Sequence, residues 1–171
     1  MFKFLSFKKI VPAAVIYLIL FSLLEKSAFA QTPGNRRFGL GVVLGSPTAI
    51  TGKYWLSKSS AMDFGLSFAS YWALLYGDYL WEYPDGFGHS SKFVSELVPY
   101  VGVGGGVFSW NPNWRAYNNS GVGLYGRLPL GVEWAPQRPP LGIFLEIAPG
   151  IAISPGMWVI IDIGIGIRYY F

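Results

Sequence analysis

The sequence predicts an all-β chain: an eight-stranded antiparallel up-and-down transmembrane β-barrel, preceded by a cleavable signal-peptide helix. Three observations lead to this prediction. The chain divides into eight segments of strand character. Within these segments apolar side chains and charged side chains occupy alternate positions, and in the last segment apolar and small or polar residues alternate over eleven residues. That length suits a tilted strand that crosses a bilayer. No segment after the N-terminal region has a helical period, so the rest should be almost entirely β.

Clusters of turn-forming residues separate the eight segments. The predicted strands are Arg36 to Leu44, Thr48 to Leu56, Ala61 to Trp72, Leu74 to Tyr83, Phe93 to Ser109, Gly121 to Trp134, Leu141 to Ile153 and Met157 to Phe171. Gly45-Ser46-Pro47 and Ser154-Pro155-Gly156 are clear breakers, whereas the boundary near Ala73 has the weakest turn signal.

The first thirty residues have the order of a signal peptide. Three lysines precede an apolar run from Ile10 to Leu24, and Ala28-Phe29-Ala30 has the small-x-small form of a signal-peptidase site. The run is about fifteen residues long, short of the roughly twenty that a retained membrane anchor needs. We therefore expect a signal peptide over 1–30 and one outer-membrane β-barrel domain over 31–171.

Composition excludes several classes of function. Four of the 13 basic residues and one of the 9 acidic residues lie in the signal segment, so the formal net charge falls from +4 to +1 on cleavage. The high pI is therefore no sign of a nucleic-acid partner. With no cysteine and a single histidine, His89, disulfides, thiol chemistry and multi-histidine metal sites are excluded. We predict no metal and no cofactor.

Charged and apolar side chains fall on opposite faces of the predicted strands. In the sixth segment Leu128 and Val132 share one parity, and Arg127 and Glu133 share the other. The charged residues assigned in this way to the interior of the barrel are Lys53, Asp63, Asp78, Glu82, Glu96, Arg127, Glu133, Glu146, Asp162 and Arg168. Because buried charges must pair, take up protons or keep water, they form either a plug of salt bridges or a path for protons or cations. We expect Glu146 to pair with Arg127 or Arg168 at the centre of a structural network.

The same parity would also suit a soluble eight-stranded barrel of the lipocalin kind, with its apolar face inward. The small residues favour the opposite arrangement. The glycines that share the charged face are Gly39, Gly41, Gly102, Gly104, Gly131, Gly164 and Gly166. Eight strands enclose just enough room for side chains, so glycine beside charge is typical of a narrow polar lumen.

Tryptophan placement also favours a bilayer. Trp72, Trp110, Trp114 and Trp158 lie at or beyond one set of strand ends, and Trp55, Trp81 and Trp134 lie near the other. Two such groups indicate girdles at the two headgroup levels. Trp55 shares the parity of Lys53 and is the exception that can point inward.

The last strand resembles a known signal. Its outward residues are Ile163, Ile165, Ile167, Tyr169 and Phe171. A terminal Phe preceded by apolar residues at every second position resembles the insertion signal of bacterial outer-membrane barrels.

The region after residue 30 as a whole resembles the small eight-stranded barrels of the OmpA and OmpX type, and the stretch Gly52 to Leu56 resembles uncharacterised small outer-membrane proteins of Gram-negative bacteria. The resemblance implies export to a Gram-negative outer membrane, insertion by the barrel-assembly machinery, contact with outer-membrane lipid and lipopolysaccharide, and a monomer.

An even number of strands places both chain ends on one side, the periplasmic side on this interpretation. The link from Pro84 to Lys92 is then a periplasmic turn, and the stretch from Asn111 to Ser120 is an outer loop. This loop and its flank contribute the candidate surface-interaction residues Trp110, Trp114, Arg115 and Tyr117. Aromatic residues of this kind favour sugar, lipid or protein contacts, although packing on the barrel rim would explain them equally well.

Two motifs suggest chemistry and fail on physical grounds. Gly121 to Gly126 matches a dinucleotide motif by letters, but strand alternation follows it where a helix N-terminus is required. His89-Ser90-Ser91 lies in a glycine-rich turn, where adjacent residues rarely form an oriented nucleophile and base. We therefore predict a non-enzymatic envelope or surface-interaction protein with a filled polar lumen and no catalytic residue. The alternatives are a lipid A- or phospholipid-modifying enzyme and a small pore.

Overall fold

The structure is a computed structural model that describes residues 36–69, 72–111 and 120–171. Its strands are β1 (Phe38–Ser46), β2 (Ala49–Trp55), β3 (Ser60–Ala69), β4 (Trp72–Glu82), β5 (Leu97–Trp110), β6 (Gly121–Arg127), β7 (Leu130–Trp134), β8 (Leu141–Ser154) and β9 (Trp158–Tyr170), with one short helix, α1 (Lys92–Ser95). Within these ranges no helix has both the length and the apolar character that a membrane crossing would require.

The strands form one closed antiparallel barrel. The order is β4-β3-β2-β1-β9-β8-β6-β5-β7, and the β4–β5 and β7–β8 pairings complete the circle. β6 and β7 are one barrel strand, because each pairs with both β5 and β8 in a register that continues across the gap between them. The gap falls at Pro129, which has no N–H for the ladder. The prediction of an eight-stranded up-and-down barrel is therefore confirmed.

The polarity of the barrel is the reverse of that of a soluble protein. Apolar side chains on alternating positions of every strand face outward and are exposed, as in Leu66, Leu145 and Ile165. The opposite parity faces the interior, where Lys53 and Glu133 are both 0 % exposed. The strand faces predicted from the sequence to point inward and outward are thus the ones that do so in the structure.

Two local predictions are wrong. The third strand ends at Ala69 and the fourth begins at Trp72, so the boundary lies before Ala73. The fifth strand begins at Leu97 instead of Phe93, because one turn of helix precedes it. The Ser91 hydroxyl caps that turn by accepting the Val94 N–H at 3.3 Å, an arrangement typical of serine at a helix N-cap.

The two ends of the barrel differ. We call the end that carries Phe171 and the links 56–59, 83–96 and 135–140 the near end; the far end carries the turns 47–48 and 155–157. On the outside of the near end lies an aromatic belt, in which ring centroids are 5.0 to 6.3 Å apart. The belt consists of Phe38, Phe64, Tyr79, Trp81, Tyr169 and Phe171.

The expected tryptophan girdle at the far end is corrected by the structure. Trp110 is only 7 % exposed, and it packs with Tyr76, Phe108 and Tyr125 inside the far mouth of the lumen. Trp158 packs against the same cluster, 5.9 Å from Phe108. Space for Trp110 comes from Gly121 directly across the ladder, where any side chain would collide with the indole ring. Trp55 does point inward, at 1 % exposure.

Candidate functional site

The interior charges form two clusters along the barrel axis. The near cluster lies toward the near end and consists of Lys53, Asp63, Glu82, Glu133 and Arg168. The far cluster lies further toward the far end and consists of Asp78, Arg127, Glu146 and Asp162.

Lys53 is the centre of the near cluster. Its Nζ lies 2.6 Å from Glu82 Oε1 and 2.5 Å from Glu133 Oε2, and all three side chains are completely buried. The ammonium also lies 4.4 Å from the ring centroid of Trp55 and 5.2 Å from that of Tyr100, so aromatic faces cover it where carboxylates do not. The cation is fully enclosed by opposite charge and by rings.

Arg168 is the second cation of the near cluster. Its Nη2 lies 2.5 Å from Asp63 Oδ2 and donates to Thr51 Oγ1 at 2.8 Å, while Nη1 is 3.8 Å from Glu133. The guanidinium also lies over the Phe144 ring at 3.8 Å. Arginine suits buried sites because its planar guanidinium donates hydrogen bonds at its edge and stacks on aromatic rings with its face.

Two glycines of β1 make these contacts possible. Gly41 lies directly between Thr51 on β2 and Arg168 on β9, and Gly39 lies between Lys53 and Tyr170 in the same way. Because glycine has no side chain, the side chains of β2 and β9 can contact each other across β1 at these two positions. A Cβ on Gly39 would lie 2.6 Å from the Tyr170 ring, whose hydroxyl donates to Glu133.

The far cluster has one cation for three carboxylates. The Arg127 guanidinium binds Glu146 closely, lies 3.2 Å from Asp162 Oδ2 through Nη1, and 3.4 Å from Asp78 Oδ2 through Nε. Of the two partners predicted for Glu146, the structure places Arg127 against it. Gly104 on β5 again lies between two partners, Asp78 and Arg127.

Aromatic hydroxyls and rings complete both clusters. Tyr100 donates to Glu146 Oε2 at 2.9 Å and also faces Lys53, so it links the clusters. The Tyr76 ring lies 4.3 Å from the Arg127 guanidinium carbon. The predicted interior set did not include Thr51, Tyr100 and Tyr170, although they lie on the same strand faces as the charges, a signal that could have identified them.

The clusters also differ in their access to water. The Glu146 and Asp162 side chains are each 11 % exposed, beside a cavity of about 10 Å³ that reaches Ser46 and Pro47 at the far end. A volume of this size holds about one water molecule. The near cluster is instead covered by Trp55, Leu80, Val98, Tyr100 and Tyr170, none more than 4 % exposed.

Glu96 is a correction to the predicted interior set. It lies outside the strands, at the C-cap of α1, and its carboxylate accepts from Trp134 Nε1 at 3.0 Å. The sequence pattern failed here because it extended a strand through α1. His89 lies in the near-end link, 67 % exposed, with its Nε2 3.1 Å from Asp85 Oδ1. The Ser91 hydroxyl beside it serves as the cap of α1.

The other predicted residues have the following positions. Ile163, Ile165, Ile167, Tyr169 and Phe171, the predicted insertion signal, all face outward. Trp110 is enclosed in the far mouth and is not available as a surface contact. Trp114, Arg115 and Tyr117 lie outside the described residues, as do the signal segment 1–30 and its cleavage site.

Comparison with known proteins defines the class of fold. No protein-family model matches the chain, and no curated protein matches it. Among solved structures, the chain is similar to the N-terminal β-barrel domain of Pseudomonas aeruginosa OprF, with a TM-score of 0.57, 13 % sequence identity, and coverage of 82 % of this chain and 100 % of that one. The fold is that of the eight-stranded, OmpA-like outer-membrane barrels.

Proposed function

We propose that this protein is an integral outer-membrane β-barrel of a Gram-negative envelope, without enzymatic activity, whose charged interior is a filled structural core. Its role is then in envelope structure or in contacts at the cell surface. The observation that carries the proposal is the reversed polarity of the barrel: apolar side chains cover the outside while salt bridges fill the inside. Monomeric proteins in water rarely expose such a continuous apolar surface, whereas lipid requires it.

The proposal extends to partners in the envelope. The outward apolar band contacts outer-membrane lipid, including lipopolysaccharide, and the strand that ends at Phe171 is the insertion signal for the barrel-assembly machinery. The closed ladder from β1 to β9 leaves no free strand edge between them, which supports a monomer because unpaired edges promote association.

The pore alternative has one supporting observation, the cavity beside Arg127 that reaches the far end. We propose that this cavity is a blind pocket, since the near cluster and its aromatic cover occupy the rest of the bore. The enzyme alternative rests on His89 with Ser90 and Ser91, and the structure adds Asp85 beside His89. Their exposure in a near-end link provides none of the water exclusion or orientation that acyl chemistry needs.

A pair of substitutions tests the membrane orientation. Leu128 is 54 % exposed on the outer face, and Leu128→Arg should cost roughly 2 to 4 kcal/mol if that face meets the bilayer core. Val43 faces the interior beside the cavity, so Val43→Thr should cost less than about 1 kcal/mol there. Urea unfolding of both variants in lipid vesicles, with folding followed by heat-modifiable gel mobility, makes the comparison. A larger loss for Val43→Thr would mean that the apolar face is not in lipid.

The absence of enzymatic activity has its own test. The folded protein is incubated in vesicles that contain phospholipid and lipid A, and the acyl chains are then analysed by mass spectrometry. We expect no change in acylation with either wild type or His89→Ala. A product formed by the wild type and lost in the variant would favour the lipid-modifying enzyme.

A further inference from the structure

The surface charges of the barrel are concentrated at one end. Within the described ranges, three exposed basic residues outside the lumen are Arg37, Lys92 and Arg138, which we call the basic rim. All three lie at the near end: Arg37 just before β1, and Lys92 and Arg138 in two of the near-end links or beside them. The described parts of the far end, at 46–48, 110–111, 120–121 and 154–158, contain no charged residue.

The acidic residues at the near end do not neutralise the rim. Asp85 lies against His89 at 3.1 Å, and Glu96 accepts from Trp134. Within residues 36–69, 72–111 and 120–171, no ion pair joins Arg37, Lys92 or Arg138 to a carboxylate. The rim therefore offers positive charge to an external partner.

The rim lies next to the aromatic belt. Arg37 immediately precedes Phe38, a belt residue, and Lys92 precedes Phe93, whose exposed ring lies 6.1 Å from that of Trp134. Exposed aromatic rings prefer the headgroup level of a bilayer. Basic side chains directly beyond such rings lie where lipid phosphates are found, and long Lys and Arg side chains extend readily to that level.

We propose that the basic rim binds the headgroups of anionic phospholipids, of the phosphatidylglycerol type, in the leaflet that surrounds the near end. This inference rests on the proposed membrane function. Guanidinium groups match phosphate oxygens in bidentate pairs, and ammonium groups bind them as point charges. The described far end offers no equivalent group, so the proposal concerns the leaflet at the near end.

Lipid selectivity can be measured on the folded barrel. The protein is placed in nanodiscs of equal parts phosphatidylglycerol and phosphatidylcholine. It is then released from the nanodiscs in a native mass spectrometer, and the lipids that remain bound to it are counted. We expect phosphatidylglycerol to be enriched at least about fivefold over phosphatidylcholine. This ratio corresponds to about 1 kcal/mol, which is the attraction of a single basic residue to an anionic membrane surface. The enrichment should fall in high salt.

Charge-matched variants provide the controls. The triple variant R37Q/K92Q/R138Q should retain the two lipids in equal amounts, whereas R37K/K92R/R138K should keep the enrichment. In nanodiscs of phosphatidylcholine alone with inorganic phosphate added, we expect no bound phosphate. Phosphate bound equally well there would overturn the lipid assignment and indicate a general anion site.

The outcomes separate this inference from the proposed function. Folding in nanodiscs, shown by heat-modifiable mobility, with equal retention of both lipids by the wild type would overturn the inference alone. Unchanged enrichment in the triple glutamine variant would overturn it as well. Failure to fold in any lipid would overturn the membrane function together with the inference.

Discussion

The near and far clusters are built from the same residue types but differ in charge balance and in access to water. The near cluster sets two cations against three carboxylates, and its Lys53, Glu82 and Glu133 side chains are 0 % exposed. The far cluster sets one cation against three carboxylates, two of which reach a cavity open toward the far end. Burial of charge is tolerated where pairing is nearly complete. On the proposed function, the near cluster is the part that closes the barrel, and the far cluster borders a cavity for about one water molecule.

The largest expected effect is in the near cluster. Lys53→Met would leave Glu82 and Glu133 buried beside one another without their shared cation. We expect a loss of about 3 to 5 kcal/mol in the free energy of unfolding, the usual result of breaking a buried pair. Urea unfolding in lipid vesicles measures it. Lys92→Met, on the near-end surface, is the matched control and should change stability by less than about 0.5 kcal/mol.

A double variant shows whether the loss of stability comes from the carboxylates that Lys53→Met leaves without their lysine partner. Adding Glu133→Gln to Lys53→Met removes one of the two uncompensated charges, so part of the stability should return. Strictly additive losses would mean that the Lys53–Glu133 pair contributes nothing beyond packing.

Replacing a glutamate by glutamine should cost more stability in the near cluster than in the far cluster. Glu133→Gln removes the carboxylate that binds Lys53 and Tyr170, with an expected cost of about 3 kcal/mol. Glu146→Gln leaves Arg127 with Asp78 and Asp162, so we expect less than about 1.5 kcal/mol. Parallel unfolding curves decide the order, and equal losses would remove the distinction between the clusters.

The expectation for Glu146 therefore changes with the structure. The sequence predicts Glu146 at the centre of one structural network. The structure makes Arg127 the centre of the far cluster, with Glu146 as one of three partners and partly exposed. Removing a carboxylate from a cluster that has an excess of them relieves repulsion as well as breaking a bond.

The smallest effect is expected at Gly164, one of two interior glycines where an added methyl group would be 2.6 Å from a neighbour. At Gly39 that neighbour is the Tyr170 ring, which is completely buried and held by Glu133, so Gly39→Ala should cost about 1 to 3 kcal/mol through overpacking. At Gly164 the neighbour is a methyl of Val43 beside the cavity, which leaves it space to move, so Gly164→Ala should cost less, about 1 kcal/mol or below. Thermal unfolding of the two variants in the same detergent gives the comparison.

The difference between the clusters could not be read from the sequence, although the faces of the strands could. Parity assigns Arg127, Glu133 and Arg168 to the interior because a strand repeats every two residues. Which charge meets which depends on the register between strands that are distant in sequence. Lys53 and Glu133 are 80 residues apart, and no local pattern encodes their contact.

The two misplaced residues, Glu96 and Trp110, have different causes. Glu96 was assigned to a strand because the sequence signal for α1 is only a single turn, capped by Ser91. Trp110 was placed in a lipid girdle because its position at a strand end does not reveal that Gly121 lies opposite it. Such a contact across the ladder is a property of the register, in the same way as the ion pairs.

The central claim is that the near cluster closes the lumen, and ion conductance through a planar bilayer tests it most directly. The purified wild-type barrel, with folding verified by heat-modifiable mobility, is inserted and recorded over a range of voltages. The account predicts no steady conductance, because a blind cavity of about 10 Å³ at the far end ends at a bore filled by Lys53 and its partners. A steady, ohmic current from the wild-type protein would contradict it, and would show that the interior charges line a pore.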